Sequence, residues 1–198
     1  MTNDGIKQWF KNNKDRYYNF SEQLSDVIKS ILNSEGIQYH TITFRVKDID
    51  SLVKKIEKKK YKDPINQITD FSGLRIIAYT NSDVNKICYL LENEFCIDYI
   101  NSNNKNLLLN VDKVGYRSIH YIVMYGSERL HLGEYKDFKD FKCEVQVRTL
   151  LEHAWAEIEH DRIYKSQYDI PDNLKRKFNL QSGNLELIDN EFDINQPN

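Results

Sequence analysis

Residues 143–161 read CEVQVRTLLEHAWAEIEHD. Over the first seven positions Glu144, Gln146 and Arg148 alternate with Val145 and Val147, the period-two signature of a strand with one apolar and one polar face. From Leu150 the period lengthens to that of a helix carrying His153, Trp155, Glu157 and His160. An antiparallel strand with one solvated face gives the same alternation. The stretch therefore acquires meaning from what stands with it: an acid, an amide and a guanidinium on one strand face that runs straight into a helix.

Working outward, the helical spacing of Trp9, Phe10, Tyr17, Phe20, Leu24, Val27, Ile28 and Ile31 predicts a helix over 6–33, ending before Gly36. Strands are expected at 37–47, 74–80, 96–100, 117–125 and 141–149. DIDSLVKKIEKKK (48–60) opens with capping residues and reads as helix, and 83–95 is an amphipathic helix with Val84, Ile87, Leu90 and Leu91 inward. Helix is expected from Leu150 to about Lys165, with Trp155, Ile158 and Arg162 facing the core, and again over 172–190 after Pro171. Strands and helices mix without strict alternation. This predicts an α+β fold, a mixed β-sheet flanked by helices, rather than a doubly wound sheet. No internal repeat or long Gly/Ser/Pro linker is present. One domain over 1–198 is expected: an N-terminal helical region (1–36), a core (37–165) and a C-terminal helix with an acidic tail (172–198).

The 198 residues are 40% hydrophobic and 29% charged, with a net charge of −2. These values suit an ordinary globular domain and argue against a polyelectrolyte built for nucleic acid. No apolar run reaches the roughly 18 residues of a membrane span, and the N-terminus lacks the apolar core of a signal peptide. The three cysteines form no CxxC pair, so neither a disulfide framework nor a zinc cluster is expected. A reducing cytoplasm is the natural setting.

Three further segments carry candidate chemistry. In ITDFSGLRIIAY (68–79), Asp70 precedes a strand and Arg75 projects from its start. Asp70 either fixes a turn or pairs with Glu144, since two acids on adjacent strand ends are a common way to hold magnesium on substrate phosphates. In FRVKDIDSLVKK (44–55), Arg45 and Lys47 share a strand face, while Ser51 and Lys55 share a face of the helix that starts near Asp48. Free N–H groups at a helix start, with a hydroxyl and cations around them, suit a polyphosphate, although cations near helix starts are common. In DKVGYRSIHY (112–121), Tyr116 stands beside Lys113 and Arg117, either as a packed turn or as a base-stacking ring next to a phosphate contact. His120 reads as a structural, hydrogen-bonded histidine. There is no GxxxxGK[ST] loop. His153, Glu157 and His160 share a helix face, but neither an HExxH spacing nor a second ExxH helix accompanies them, so metal ligation there is not expected.

In order, RVKDIDS with Lys55, ITDFSGLR, VGYRSIH and EVQVRT…WAEIEH…YK resemble the synthetase domain of RelA/SpoT-type alarmone synthetases, over about residues 40 to 190. The resemblance implies a nucleotidyltransferase-like fold of the small, synthetase-only type. It implies transfer of the β,γ-diphosphate of ATP to the ribose 3′-hydroxyl of GDP or GTP, yielding the guanosine tetra- or pentaphosphate and AMP, with Mg2+ as cofactor. Carried over by motif position, Arg45 and Arg75 sandwich the adenine, and Lys47, Ser51 and Lys55 hold ATP phosphates. Asp70 and Glu144 bind the metal and form the catalytic pair, Glu144 also being a candidate acceptor of the 3′-hydroxyl proton. Lys113, Tyr116, Gln146 and His153 lie on the acceptor side, and Arg148 supports. Two departures from the family pattern fall on that side: Lys113-Val114 before the GY glycine, and His153 where short members often carry asparagine.

Three readings follow. The first is a guanosine nucleotide pyrophosphokinase. The second keeps the chemistry but takes the tRNA 3′ end or an adenosine nucleotide as acceptor, with the lysine block at 54–62 as an RNA guide. The third is a catalytically silent nucleotide-binding module. Self-association through the terminal helices is expected from family habit and their apolar stripes, and no membrane partner is.

Overall fold

The computed structural model describes residues 3–104, 118–161 and 171–194. In chain order the elements are α1 (Asn3–Ser34), β1 (Thr41–Val46), α2 (Ile49–Lys59), α3 (Pro64–Gln67), β2 (Ser72–Ala78), α4 (Asn81–Glu94), β3 (Cys96–Ile97), β4 (Asn103–Asn104) and β5 (Ile119–Met124). They continue with α5 (Ser127–Leu130), a 3₁₀ turn at Lys136–Phe138, β6 (Cys143–Thr149), α6 (Leu150–Glu159) and α7 (Asp172–Ile194). The strands form one sheet in the order β1-β2-β6-β5-β3, with β4 also on β5. β2 and β6 run parallel and the other pairs antiparallel. The mixed sheet with flanking helices is the architecture expected from the sequence.

The sheet has one buried and one open face. Leu74, Ile76 and Ala78 of β2, Cys143, Val145 and Val147 of β6, and Ile119, Tyr121 and Val123 of β5 point into the main core. There they meet Phe20, Leu24, Ile28 and Leu32 of α1 and Val84, Ile87, Leu90 and Leu91 of α4. The near-continuous apolar content of this face follows from its cover of helices. α1 ends where its sequence says it must. Gly36 adopts φ +65°, Ile37 N–H donates to the Leu32 carbonyl at 2.9 Å, and Gly36 N–H donates to that of Asn33 at 3.3 Å. This is a Schellman closure, with Ile37 packed against the core to which Leu32 belongs. Because Ile37 belongs to that closure, β1 starts at Thr41 rather than at 37.

A second, smaller core (Ile6, Phe10, Tyr17, Leu52, Ile56, Ile68 and Phe71) binds the first turns of α1 to α2 and to the segment before β2. α2 contributes its buried Leu52/Ile56 stripe, with Ile49 packed alongside. It is capped by Asp48, whose carboxylate accepts from Ser51 N–H at 2.8 Å; the Ser51 hydroxyl, and then this N–H, hold the Asp48 carboxyl below its usual range.

Both parallel strands feed helices without a loop, through threonines. Thr80 caps α4, accepting from Asp83 N–H at 3.3 Å. Thr149 caps α6 in a reciprocal box with Glu152: Glu152 N–H donates to Thr149 Oγ1 at 3.1 Å, and Thr149 N–H donates to Glu152 Oε2 at 2.8 Å. α7 lies across these junctions. Its Asp189 accepts from the Thr149 hydroxyl and its Asp193 from Ser82 N–H.

Two further expectations need correction. The 96–100 strand stops at Ile97, because Asp98 draws the chain into a turn by accepting from the backbone and side-chain amides of Asn101. Of the stripe Trp155, Ile158 and Arg162, Trp155 is buried on Phe178, but Ile158 is 50% exposed. A helix laid on the sheet margin buries only its narrow inner edge. Arg162 lies outside the described residues.

Candidate active site

The strand register arranges the open face in rows. Thr43, Arg75, Gln146 and His120 stand abreast on β1, β2, β6 and β5. Arg45, Gly73, Glu144 and Ile122 form the next row, and paired positions share a face. This is the physical sense of the alternating stretch at 143–149: its apolar half is core, and its polar half floors a cleft. A cavity of about 160 Å³ opens there, lined by Thr43, Arg45, Gly73, Arg75, Glu144 and Gln146 among others. Arg45 lies over Gly73, its Cγ and Nε at ordinary contact distance, 3.6 Å, from where a Cβ would stand.

Asp70 is set between two buried anchors, Ile68 and Phe71, each 2% exposed. Its Oδ2 accepts from Lys47 Nζ at 2.7 Å and from Lys55 Nζ at 2.7 Å. Its Oδ1 is buried with no hydrogen-bond partner among the described residues. Glu144 accepts from Gln146 Nε2 at 2.8 Å and lies 3.4 Å from His120 Nδ1. Burial alone would raise the Glu144 carboxyl. The hydrogen bonds from His120 and Gln146, with the charges of His120 and Lys55, overcome it and hold the group down at about 2. Lys55 pairs directly with Asp70, and its charge is the smallest of the contributions that lower Glu144.

The structure therefore brings Arg45, Lys47, Lys55, Asp70, Arg75, Glu144 and Gln146 to one face. Ser51 is exposed on α2, where its backbone N–H serves the Asp48 cap. His153 sits one turn into α6, 3.7 Å from Glu157. Burial first, and then the Arg148 and Arg75 charges, lower its pKa. Lys113 and Tyr116 lie outside the described residues. Sequence reasoning missed two neighbours. His120 was read as structural, yet β5 places it beside Glu144, and its position two strand residues from VGYR was the available signal. Glu157 was weighed only as a metal ligand, whereas its carboxylate takes Arg75 at 3.1 Å.

Residues 44–169 match the family described as the region found in RelA / SpoT proteins. The chain belongs to the RelA/SpoT family. Among relatives of this RelA/SpoT chain is GTP pyrophosphokinase YjbM of Bacillus subtilis, 30% identical over 160 residues, which span 76% of this chain and 69% of that protein. Small alarmone synthetase 1 of Bacillus subtilis bound to its product pppGpp superposes with a TM-score of 0.75 at 26% identity, covering 94% of this chain and 95% of that one. The same synthetase bound to AMPCPP gives a TM-score of 0.68 at 26% identity, covering 94% of each chain. Two of the four RelA/SpoT motifs, RVKD and DFSGLR, meet at Asp70 through Lys47, and the EVQVR motif lines the cavity with Glu144 and Gln146.

Proposed function

We propose that the protein is an ATP-dependent pyrophosphokinase that transfers the β,γ-diphosphate of ATP to the ribose 3′-hydroxyl of GDP or GTP. The observation that carries this reading is the arginine-lined cavity that Glu144 and Gln146 also line, with Asp70 paired to Lys47 and Lys55, in a chain of the RelA/SpoT family. In the reaction the 3′-oxygen bonds to the β-phosphorus of ATP. The bond from that phosphorus to the α,β-bridging oxygen breaks, AMP leaves with the electron pair, and the hydroxyl proton passes to a base. Alignment and charge neutralisation govern such a transfer. Arg45 and Arg75 flank the adenine, and Lys47 and Lys55 bind phosphate oxygens once released from Asp70. Gln146 orients the acceptor ribose next to Glu144. Lys113, Tyr116 and His153 belong to the acceptor side, and the whole chain works as one synthetase unit.

The donor set fits a magnesium ion. Asp70 offers an unpartnered buried oxygen, Glu144 is ionised, and an ammonium already sits where a cation is attracted. Among the described residues no three His, Cys, Asp or Glu side chains converge, so Asp70 and Glu144 would hold the ion alongside phosphate and water oxygens. An ion bound there supplies charge neutralisation to the transferring diphosphate.

Self-association belongs to the same proposal. Leu180, Leu187 and Ile194 recur every seven residues along α7 and are 61%, 65% and 74% exposed, a stripe suited to a second copy. A sizing column tests it. No helix among the described residues is long and apolar enough to cross a membrane, and a cytoplasmic setting, where ATP and GTP are supplied, completes the proposal.

The enzymatic test is label transfer from γ-labelled ATP to GDP, GTP, ADP or tRNA offered separately. The reading expects label in a guanosine product with one AMP formed per transfer. Label in tRNA or an adenosine product moves the acceptor, and no transfer to any of the four refutes the activity.

A further inference from the structure

Arg75 and Arg148 pose a charge problem that the proposed chemistry does not use. They occupy one face of neighbouring strands, Arg148 standing opposite Ile77, two residues beyond Arg75. Arg148 is only 6% exposed, and its Nε and Nη2 have no hydrogen-bond partner among the described residues. Two guanidiniums so placed repel one another. The Glu157 carboxylate answers both: its Oε1 lies 3.1 Å from Arg75 Nη1 and 3.8 Å from Arg148 Nη2, with His153 Nδ1 at 3.7 Å.

The three partners differ in freedom. Arg148 is walled in. Glu157 rides on α6, whose direction is set by the Thr149/Glu152 capping box and by Trp155 packed on Phe178. Glu157 is itself 58% exposed and Arg75 30%, so both can move and the pair is anchored by the α6 backbone; Arg75 is the member that faces the cavity. Left alone, the Arg148 charge would push it away from the cavity that it lines.

We propose that Glu157 is a positioning residue for the ATP side of the cleft: it holds Arg75 on the cavity wall against repulsion from the buried Arg148. The inference rests on the proposed function, because it assigns Arg75 to ATP. It requires a carboxylate at this place on α6, so the helix following the catalytic strand contributes to donor binding as well as shaping the cleft.

The test compares wild type, Glu157→Gln and Glu157→Ala. The readouts are kcat and KM for ATP and for the acceptor, calorimetric binding of a non-hydrolysable ATP analogue, and thermal midpoints. A partly exposed ion pair predicts a loss of about five-fold in ATP-analogue affinity for Glu157→Ala. The loss should appear in KM for ATP while kcat and the acceptor KM stay put, and the thermal midpoint should fall by a few degrees at most. In an Arg75→Ala background, kcat/KM for ATP should not fall further when Glu157 is also replaced, since the residue acts through Arg75. Tighter ATP binding without Glu157, an undiminished effect in the Arg75→Ala background, or a change confined to kcat or to the midpoint overturns the proposal. Wild type that binds the analogue while Glu157 variants match it refutes this inference alone. Wild type that binds no adenine nucleotide refutes the functional reading and this inference with it.

Discussion

Asp70→Asn separates the chemistry of the cleft from its architecture. Asp70 Oδ2 receives two ammoniums at 2.7 Å, and the Lys47, Lys55 and Asp70 side chains are 14%, 28% and 16% exposed. A hydrogen bond to a charged partner contributes about 1.5–3 kcal/mol, and partial solvation draws each towards the lower figure. Asparagine keeps one acceptor oxygen but leaves two ammoniums facing each other without a counter-charge. The unfolding free energy should therefore fall by about 2 kcal/mol, a drop in Tm of about 4–8 °C for a chain of this size. Turnover should fall by a factor on the order of a hundred or more, since an inner ligand matters at least as much as the outer ones for which such losses are typical. Metal-free ATP binding should hold or tighten, because both lysines are released to the phosphates. Urea unfolding followed by far-UV circular dichroism gives the first quantity, diphosphate transfer the second, and calorimetry the third. A variant as stable and as active as wild type refutes the assignment. A destabilised variant with full turnover reduces Asp70 to a structural acid.

Other outcomes follow from single contacts. Glu144, held at about 2 against an ordinary 4.5, stabilises the fold above pH 4.5, and that contribution disappears as pH falls through 2. In metal-free urea series the gap between wild type and Glu144→Gln should close over that window, and a pH-independent gap contradicts the assignment. Asp189 is the opposite case: burial, and then the Asp193 charge, raise its carboxyl despite the Thr149 hydrogen bond. Its raised folded pKa favours the fold below the ordinary 3.8 and ceases to do so as pH rises through the folded value. Asp189→Asn should thus match or exceed wild-type stability at neutral pH and lose that advantage in acid, read from Tm against pH. Leu24, fully buried between α1 and the sheet, should cost about 3 kcal/mol when replaced by alanine, measured by urea unfolding with secondary structure retained.

Much of this arrangement was legible because two periods, 2 and 3.6, are written directly in side-chain polarity. The 143–149 alternation announced both the core face and the cleft floor, and the α1 stripe and the Gly36 stop were equally plain. What pattern reading left open was register. Nothing local to Asp70 or Glu144 says that β2 pairs in parallel with β6 so that Gly73 stands opposite Glu144. Their placement follows from long-range strand pairing and from the small core that fixes Ile68 and Phe71 on either side of Asp70. His120 was undervalued for the same reason, since its neighbour Glu144 is reached only across a strand pair. The length of the 96–100 strand was overread because its apolar character persists beyond Asp98, while the turn depends on side-chain hydrogen bonds that compete with the ladder. Ile158 was misplaced because helical spacing marks a face without saying how wide a strip the sheet margin covers.

The central claim is that the Asp70–Glu144 cleft moves an intact diphosphate from ATP to a guanosine 3′-hydroxyl. Its most direct test is identification of the product formed from β,γ-labelled ATP and GDP with magnesium present. The account predicts a guanosine carrying both labelled phosphates on its 3′-oxygen, formed one-for-one with AMP and at a rate lower by a factor on the order of a hundred or more for Asp70→Asn and Glu144→Gln. ADP with a singly labelled product, or an unchanged product in both variants, would contradict it.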